Sequence, residues 1–109
     1  MQIDIINLEF IDKKLREMGI SFEEETGLTL RVTSLFRIDD DGVHGLLPLR
    51  GIDYSMRNES IGLMVEKYIN DRWTYDPERP YMMCAVLHKV NGVWHLHTQV
   101  HPNTIRKGI

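Results

Sequence analysis

The sequence predicts an α+β domain in which a small antiparallel sheet carries two helices on one side. The stretch WHLHTQVH, residues 94–101, alternates apolar and polar side chains, which is typical of a strand with one buried face. Asn91-Gly92 lies just before it and is the strongest two-residue signal for a β-hairpin. Two further segments carry apolar residues at the spacing of an amphipathic helix. A chain of 109 residues has the size of one domain, so we treat 1–109 as a single unit.

The first two predicted elements are a helix and a strand. The helix is expected over 8–18, where apolar residues recur at helical spacing and Gly19 follows as a stop. Gly27 then leads into a strand over 28–37, because the side chains there alternate with a period of two. The alternation places Leu28, Leu30, Val32 and Ser34 on one face and Thr29, Arg31, Thr33 and Leu35 on the other.

The middle of the chain continues with a loop, a short strand and the second helix. Aspartates, glycines and a proline make 38–50 a loop, and a brief strand is expected over 50–56. Asn58 is placed to cap a helix over roughly 59–73, because its side chain can accept a hydrogen bond from the first turn. Two prolines then interrupt the pattern over 74–80. The buried stripe predicted for this helix is Ile61, Met64, Val65, Tyr68, Ile69 and either Arg72 or Trp73.

The last unit is a hairpin between strands over 81–90 and 93–100. A type I′ turn needs positive φ at both central residues, and Asn91-Gly92 meets that need. This turn sets the register of the two strands. The predicted cross-strand pairs are Val90 with Val93, His88 with His95, Val86 with His97 and Cys84 with Gln99.

The period of two separates a core face of the last strand from a polar face. The core face is predicted to carry Trp94, Leu96, Thr98 and Val100, and the polar face His95, His97, Gln99 and His101. His88 joins the polar face because cross-strand partners share a face, whereas His101 is expected at its periphery or lining a cleft. Cys84 is either a soft metal ligand there or, as the more common case, a buried structural cysteine.

Composition excludes several classes of partner. Thirteen Lys plus Arg against sixteen Asp plus Glu give a net charge of -3 without a basic block, which argues against nucleic acid and anionic membrane surfaces. No apolar run approaches the roughly 20 residues that cross a bilayer, and the amino terminus lacks the pattern of a secretory signal. We therefore expect a protein that is cytoplasmic as synthesised. A single cysteine excludes an intrachain disulfide, so a metal would be held by histidine and carboxylate.

The polar face is the candidate site. Two histidines at i and i+2 on a strand can both ligate one zinc ion, or one can ligate while the other acts as a base. Surface strands also carry histidines with no function, and the pattern alone is compatible with that interpretation. Asp53 lies between apolar neighbours, where a carboxylate is costly to bury unless it is paired or binds a cation.

Four motifs, taken in order, resemble the zinc metallopeptidase fold of D-alanyl-D-alanine dipeptidases and carboxypeptidases, phage L-alanyl-D-glutamate endopeptidases and the hedgehog signalling domain. That family shows Thr-Ser-Gly-Tyr-Arg, Ser-x-His, Gly-Arg-Ala-x-Asp, a helix and a last strand with Glu-x-x-His or His-x-His. The matching stretches here are VTSLFR with Arg37, VHG with His44, LRGID with Asp53 and WHLH with His95 and His97. The resemblance covers residues 28–101.

The resemblance implies a zinc-dependent peptidase that cleaves peptidoglycan peptides at D-Ala or L-Ala-D-Glu bonds, of the phage or prophage lysis type. It implies zinc ligation by His44, Asp53 and His97. His95 would be the general base or would stabilise the transition state, and Arg37 would hold a substrate carboxylate or the developing oxyanion. His88, across from His95, would orient that imidazole. Such an enzyme would reach the cell wall only after the membrane is permeabilised.

Departures from the family pattern keep an alternative open. Eight residues lie between His44 and Asp53, which is more than that family usually has. The catalytic glutamate of the dipeptidase branch has no counterpart, since Gly92 and Trp94 occupy the candidate positions. The alternative is a zinc-binding member with weak or absent catalysis that serves as a structural or binding module.

Overall fold

The computed structural model describes residues 11–36 and 49–108 of the chain. Within them, two helices and six strands follow one another along the sequence. The elements are α1 (Lys13–Thr26), β1 (Arg31–Phe36), β2 (Gly51–Met56), α2 (Glu59–Arg72), β3 (Trp73–Thr74), β4 (Ala85–Val90), β5 (Val93–Gln99) and β6 (Ile105–Arg106). Neither helix has the length and apolar character that crossing a membrane requires.

Four of the strands form one antiparallel sheet in the order β1-β2-β5-β4, and β3 pairs with β6 in a second, two-stranded sheet. The α+β class with two helices and a small antiparallel sheet is thereby confirmed. β2 and β5 lie side by side at the centre although α2, β3 and β4 separate them in sequence. This arrangement joins Asp53 of β2 to His97 of β5, which are direct register partners.

The bounds predicted for the first helix were wrong. Its N-cap is Asp12, whose side chain accepts from the backbone N–H of Lys14, so the helix starts later than residue 8. Gly19 does not end the helix but lies buried within it. The true stop is Gly27, which adopts φ 75° and caps the helix through its N–H to the Glu23 carbonyl. The apolar spacing continues past Gly19 through the buried Phe22, and that extension outweighed the weak signal of one glycine.

The second helix has the predicted N-cap and nearly the predicted bounds. The Asn58 side chain accepts from the N–H of Ile61 at 2.9 Å, which confirms the cap. Val65 and Ile69 are buried as expected, but the prediction that Met64 is buried was wrong, because Met64 is 41% exposed. Trp73 begins β3 instead of continuing the helix, and it is buried there.

β1 contains a bulge that the simple alternation did not predict. The register against β2 shifts between Val32 and Ser34, so that Val32 pairs with Tyr54 and Ser34 with Asp53. One extra residue, Thr33, is accommodated there, and both Val32 and Leu35 pack against the core. The prediction that Val32 and Leu35 face opposite ways was therefore wrong.

The hairpin formed as predicted. Asn91 and Gly92 have φ of 49° and 80°, and the pairs Val90 with Val93 and His88 with His95 are present. β4 begins only at Ala85, because the segment before it turns on a hydrogen bond from Met82 N–H to the Arg79 carbonyl. The pairing nevertheless extends one step further, where the N–H of Gln99 donates to the Cys84 carbonyl at 2.8 Å.

The core lies between the helices and one face of the main sheet. Alternate residues of the central strands are buried in it, and they meet apolar side chains of both helices. The cluster includes Ile52, Tyr54, Leu96 and Val100 from the sheet side and Leu15, Phe22, Val65 and Ile69 from the helices. Burying this face fixes which residues of β2 and β5 point the other way.

His101 was expected on the polar face, and that prediction was wrong. β5 ends at Gln99, and the chain then turns so that His101 is only 8% exposed. Its N–H donates to the Thr104 hydroxyl at 2.8 Å, and its ring lies 5.7 Å from that of Tyr75. His101 therefore holds the turn before β6 and takes no part in the candidate site.

Candidate metal centre on the open face of the sheet

The side of the main sheet that faces away from the helices, here called the open face, carries the polar residues of the two central strands. β2 contributes Asp53 and Ser55, and β5 contributes His95, His97 and Gln99. They are the residues between the buried positions of the same strands, because successive side chains of a strand point to opposite faces. All five are partly buried. The open face is thus accessible to a ligand while its side chains are still held by neighbours.

Asp53 and His97 form the centre of this face. Asp53 Oδ1 lies 3.0 Å from His97 Nδ1, and the two side chains are 22% and 24% exposed respectively. The prediction that Asp53 needs a partner or a cation is met by this contact. The two residues face each other because strand register puts them side by side, 44 positions apart in the chain.

Gln99 occupies the other side of the His97 ring. Its Oε1 lies 3.1 Å from His97 Nε2, and its Nε2 donates to the Met83 carbonyl at 2.9 Å. Both ring nitrogens of His97 therefore have an oxygen within hydrogen-bond distance. This imidazole is held on two sides before any ligand binds.

His95 pairs with Ser55 in register, two residues along the strands from the pair of Asp53 and His97. Its Nδ1 is 3.5 Å from Thr33 Oγ1, at the outer limit of a hydrogen bond, and Thr33 Oγ1 also donates to the Asp53 carbonyl at 3.1 Å. The bulge in β1 turns Thr33 toward the open face. Bulges of this kind are over-represented next to active sites, where they re-aim a side chain.

His88 lies across from His95 as the register predicted. The two rings meet edge to face with centroids 6.1 Å apart. This contact is compatible with His88 steadying the His95 ring, and that role stays a prediction. Apolar side chains flank the histidines on the same face, with Val86, Val90 and Val93 each 44–48% exposed.

The atoms of Asp53 and His97 fit two ligands of one zinc ion. Zinc binds imidazole nitrogen and carboxylate oxygen at about 2.0–2.2 Å, so two such ligands on a tetrahedral ion are roughly 3.3 Å apart. The observed 3.0 Å between Asp53 Oδ1 and His97 Nδ1 needs only a few tenths of an ångström of adjustment. Gln99 also provides what a ligating histidine usually has, an acceptor for its second ring nitrogen.

Two of the sequence-predicted site residues, His44 and Arg37, lie outside the described residues. Over 11–36 and 49–108, no three side chains of the His, Cys, Asp and Glu types form a group that could hold a metal ion. Cys84 is fully buried, as expected for a structural cysteine, and burial raises the pKa of its thiol to about 12. The described residues thus supply two ligands, and a third would have to come from elsewhere.

A groove of about 540 Å³ opens at the end of the sheet where β2 ends and β5 begins. Ser55 belongs both to its wall and to the register pair with His95. The lining of the groove is mainly apolar and includes Phe22, Ile61 and Val65 of the two helices, and Arg31 and Arg57 also belong to it. Along a strand, Ser55 is about 7 Å from Asp53, roughly the length of a dipeptide unit.

Sequence reasoning missed Thr33 and the contacts that Gln99 makes in this site. Gln99 was placed on the right face by alternation, but its contact with Met83 lies in a segment without regular structure. Thr33 could not have been found, since nothing in the period of two marks a bulge. Comparisons of the chain with protein-family models, with curated proteins and with solved structures find no match.

Proposed function

We propose that this protein is a zinc-dependent peptidase that cleaves bacterial cell-wall peptides at D-Ala or L-Ala-D-Glu bonds. One observation carries the proposal: Asp53 and His97 face each other at 3.0 Å on an open sheet face, with His95 two residues from His97. The motif resemblance to the hedgehog/DD-peptidase fold supports it. So does the sheet order, which brings the motifs of β2 and β5 together.

The proposed division of labour follows from the chemistry of each side chain. Asp53 and His97, with His44, would hold the zinc ion. Bound zinc supplies a water of pKa about 7 and a polarised carbonyl. His95, with Thr33 near its Nδ1, would use Nε2 to pass a proton to the leaving amine. Arg37 would hold a substrate carboxylate or stabilise the oxyanion.

The substrate class is supported by the groove that Ser55 lines. Cell-wall stem peptides combine small aliphatic side chains with carboxylates. The apolar wall of the groove suits the former, and Arg31 and Arg57 suit the latter. Like phage lysis proteins, the enzyme would act on the wall once the membrane is permeabilised.

Metal analysis and peptide release from sacculi test this proposal together. Purified protein supplied with zinc is expected to retain about one ion per chain and to release stem peptides. Asp53→Asn should lose both properties, because it removes the charged ligand. Asp71→Asn is the matched control, since Asp71 pairs with Lys67 on the exposed surface of α2. Wild-type protein that retains no stoichiometric zinc would end the proposal.

The second candidate function is a zinc-binding module without catalysis, which serves a structural or binding role. The exposed valines Val86, Val90 and Val93 favour it, because they place an apolar surface beside the histidines. Bound zinc with no cleavage of any wall peptide, together with tight binding of intact peptides or of a protein partner, would establish this function instead. Cleavage that Asp53→Asn abolishes would exclude it.

A further inference from the structure

Gln99 is held in place from two directions before it meets His97. Its backbone N–H donates to the Cys84 carbonyl at 2.8 Å, and its side-chain Nε2 donates to the Met83 carbonyl at 2.9 Å. Both partners belong to the segment that leads into β4. The amide is therefore fixed at both its main-chain and its side-chain end.

This anchoring decides which end of the amide faces the imidazole. A backbone carbonyl only accepts hydrogen bonds, so the NH₂ group of Gln99 must point at Met83. The end that faces His97 Nε2, at 3.1 Å, is then the carbonyl oxygen. Rotating the amide by half a turn would oppose two oxygens at Met83. Nε2 of His97 is thus required to be the donor.

The consequence falls on the other ring nitrogen. When Nε2–H donates a hydrogen bond to Gln99, Nδ1 of a neutral ring carries a lone pair. This lone pair faces the carboxylate oxygen of Asp53, and the two atoms are 3.0 Å apart. Two acceptors at that distance repel unless a proton or a cation lies between them. Nδ1 and Asp53 Oδ1 thus direct lone pairs at the same point, as two ligands of one cation would.

We propose that Gln99 is a positioning residue, which holds the Nε2 proton of His97 and thereby reserves Nδ1, opposite Asp53, for the metal ion. That Nδ1 of His97 binds a metal ion rests on the function proposed above. Gln99 touches neither metal nor substrate in this scheme. It acts through His97 alone, as outer partners of ligating histidines do.

Two substitutions separate this role from a purely structural one. Gln99→Met keeps the size of the side chain but removes its hydrogen bonds, and it should weaken zinc binding by about 10–100-fold in a chelator competition. Gln99→Glu keeps an acceptor for Nε2 but loses the NH₂ group that donates to Met83, so its zinc affinity should fall clearly less than that of Gln99→Met. A merely structural glutamine would make both variants alike.

Nitrogen-15 NMR of the histidine rings gives a second readout. In the metal-free protein, the Nε2 proton of His97 should be protected from exchange with water, and Gln99→Met should remove that protection. In the zinc-loaded protein, His97 should carry its proton on Nε2 and bind metal through Nδ1. Should Gln99→Met fail to fold, Gln99→Glu still tests the inference, because it must keep the protected proton.

The outcomes distinguish this inference from the proposed function. Unchanged zinc affinity in Gln99→Met, or a zinc-loaded His97 protonated at Nδ1, would overturn the role of Gln99 even if the enzyme cleaves peptides. A wild-type protein that binds no zinc would rule out the proposed function and, with it, the assignment of Nδ1 of His97 as a metal ligand. The exchange measurement would then still decide whether Gln99 holds the Nε2 proton.

Discussion

The two faces of the central strands differ in what their residues do, although the residues alternate along the same chain. On the core face, Tyr54, Leu96 and Thr98 are almost fully buried and pack toward the helices. On the open face, Asp53, His97 and Gln99 are partly exposed, and polar atoms of Asp53 and Gln99 lie within hydrogen-bond distance of the His97 ring. The core-face residues are therefore expected to stabilise the fold, and the open-face residues to bind a ligand. Substituting a core-face residue should mainly lower the free energy of unfolding, whereas substituting the adjacent open-face residue should mainly weaken zinc binding.

The largest effect is expected for Leu96→Ala on the core face. Leu96 is completely buried between its neighbours His95 and His97, and its truncation should lower the free energy of unfolding by about 3 kcal/mol. The folded variant should still bind zinc as the wild type does. Urea unfolding of the metal-free protein measures the first quantity, since bound zinc would itself shift the transition. A loss below about 1 kcal/mol would contradict the assignment of this face to the core.

Asp53→Asn should give the reverse result on the open face. Losing the charged ligand should weaken zinc binding by about 100-fold or more, which corresponds to about 2.7 kcal/mol. Because the pair with His97 is partly exposed, metal-free stability should change by less than about 1 kcal/mol. Chelator competition and metal-free melting measure the two effects, with Asp71→Asn as control. Equal zinc affinity in Asp53→Asn and Asp71→Asn would show that Asp53 is not a zinc ligand.

Thr98→Val tests whether the core face and the open face act independently of each other. Thr98 lies between His97 and Gln99, yet its hydroxyl donates to the Ile52 carbonyl at 2.8 Å in the buried interior. Removing that hydrogen bond should lower stability by about 1 kcal/mol. Zinc affinity and peptide release should be unchanged. A marked loss of zinc affinity would show that the two faces are coupled.

His88→Ala should have the smallest effect on stability. His88 is exposed on β4 and meets His95 only edge to face, so stability should change by no more than about 0.5 kcal/mol. The rise in melting temperature that zinc causes should persist. If His88 steadies His95, peptide release should fall by about tenfold at most. Loss of the zinc effect on melting would instead make His88 a ligand.

The elements that local signals specify strongly could be predicted from the sequence. The pair Asn91-Gly92 fixed the hairpin turn and with it the register of His88 against His95. The cap at Asn58 located the second helix. In both cases a side chain or backbone requirement at one position determines the geometry next to it, so that no distant contact has to be known.

Features that depend on tertiary contacts could not be predicted. The first helix runs through Gly19 because its apolar side chains are buried by the rest of the molecule. β3 and β6 are two residues long, too short to show a period, and the bulge at Thr33 leaves no mark in the alternation. The contact of Asp53 with His97 was anticipated only through motif order, and the anchoring of Gln99 on Met83 was not anticipated at all.

Anomalous scattering at the zinc edge, recorded from a crystal grown with zinc, tests the central claim most directly. We predict one peak at about 2.0–2.2 Å from both Asp53 Oδ1 and His97 Nδ1, with a nitrogen of His44 as a further ligand. Zinc bound elsewhere on the chain, or a position between Asp53 and His97 that stays empty at saturating zinc, would contradict the account.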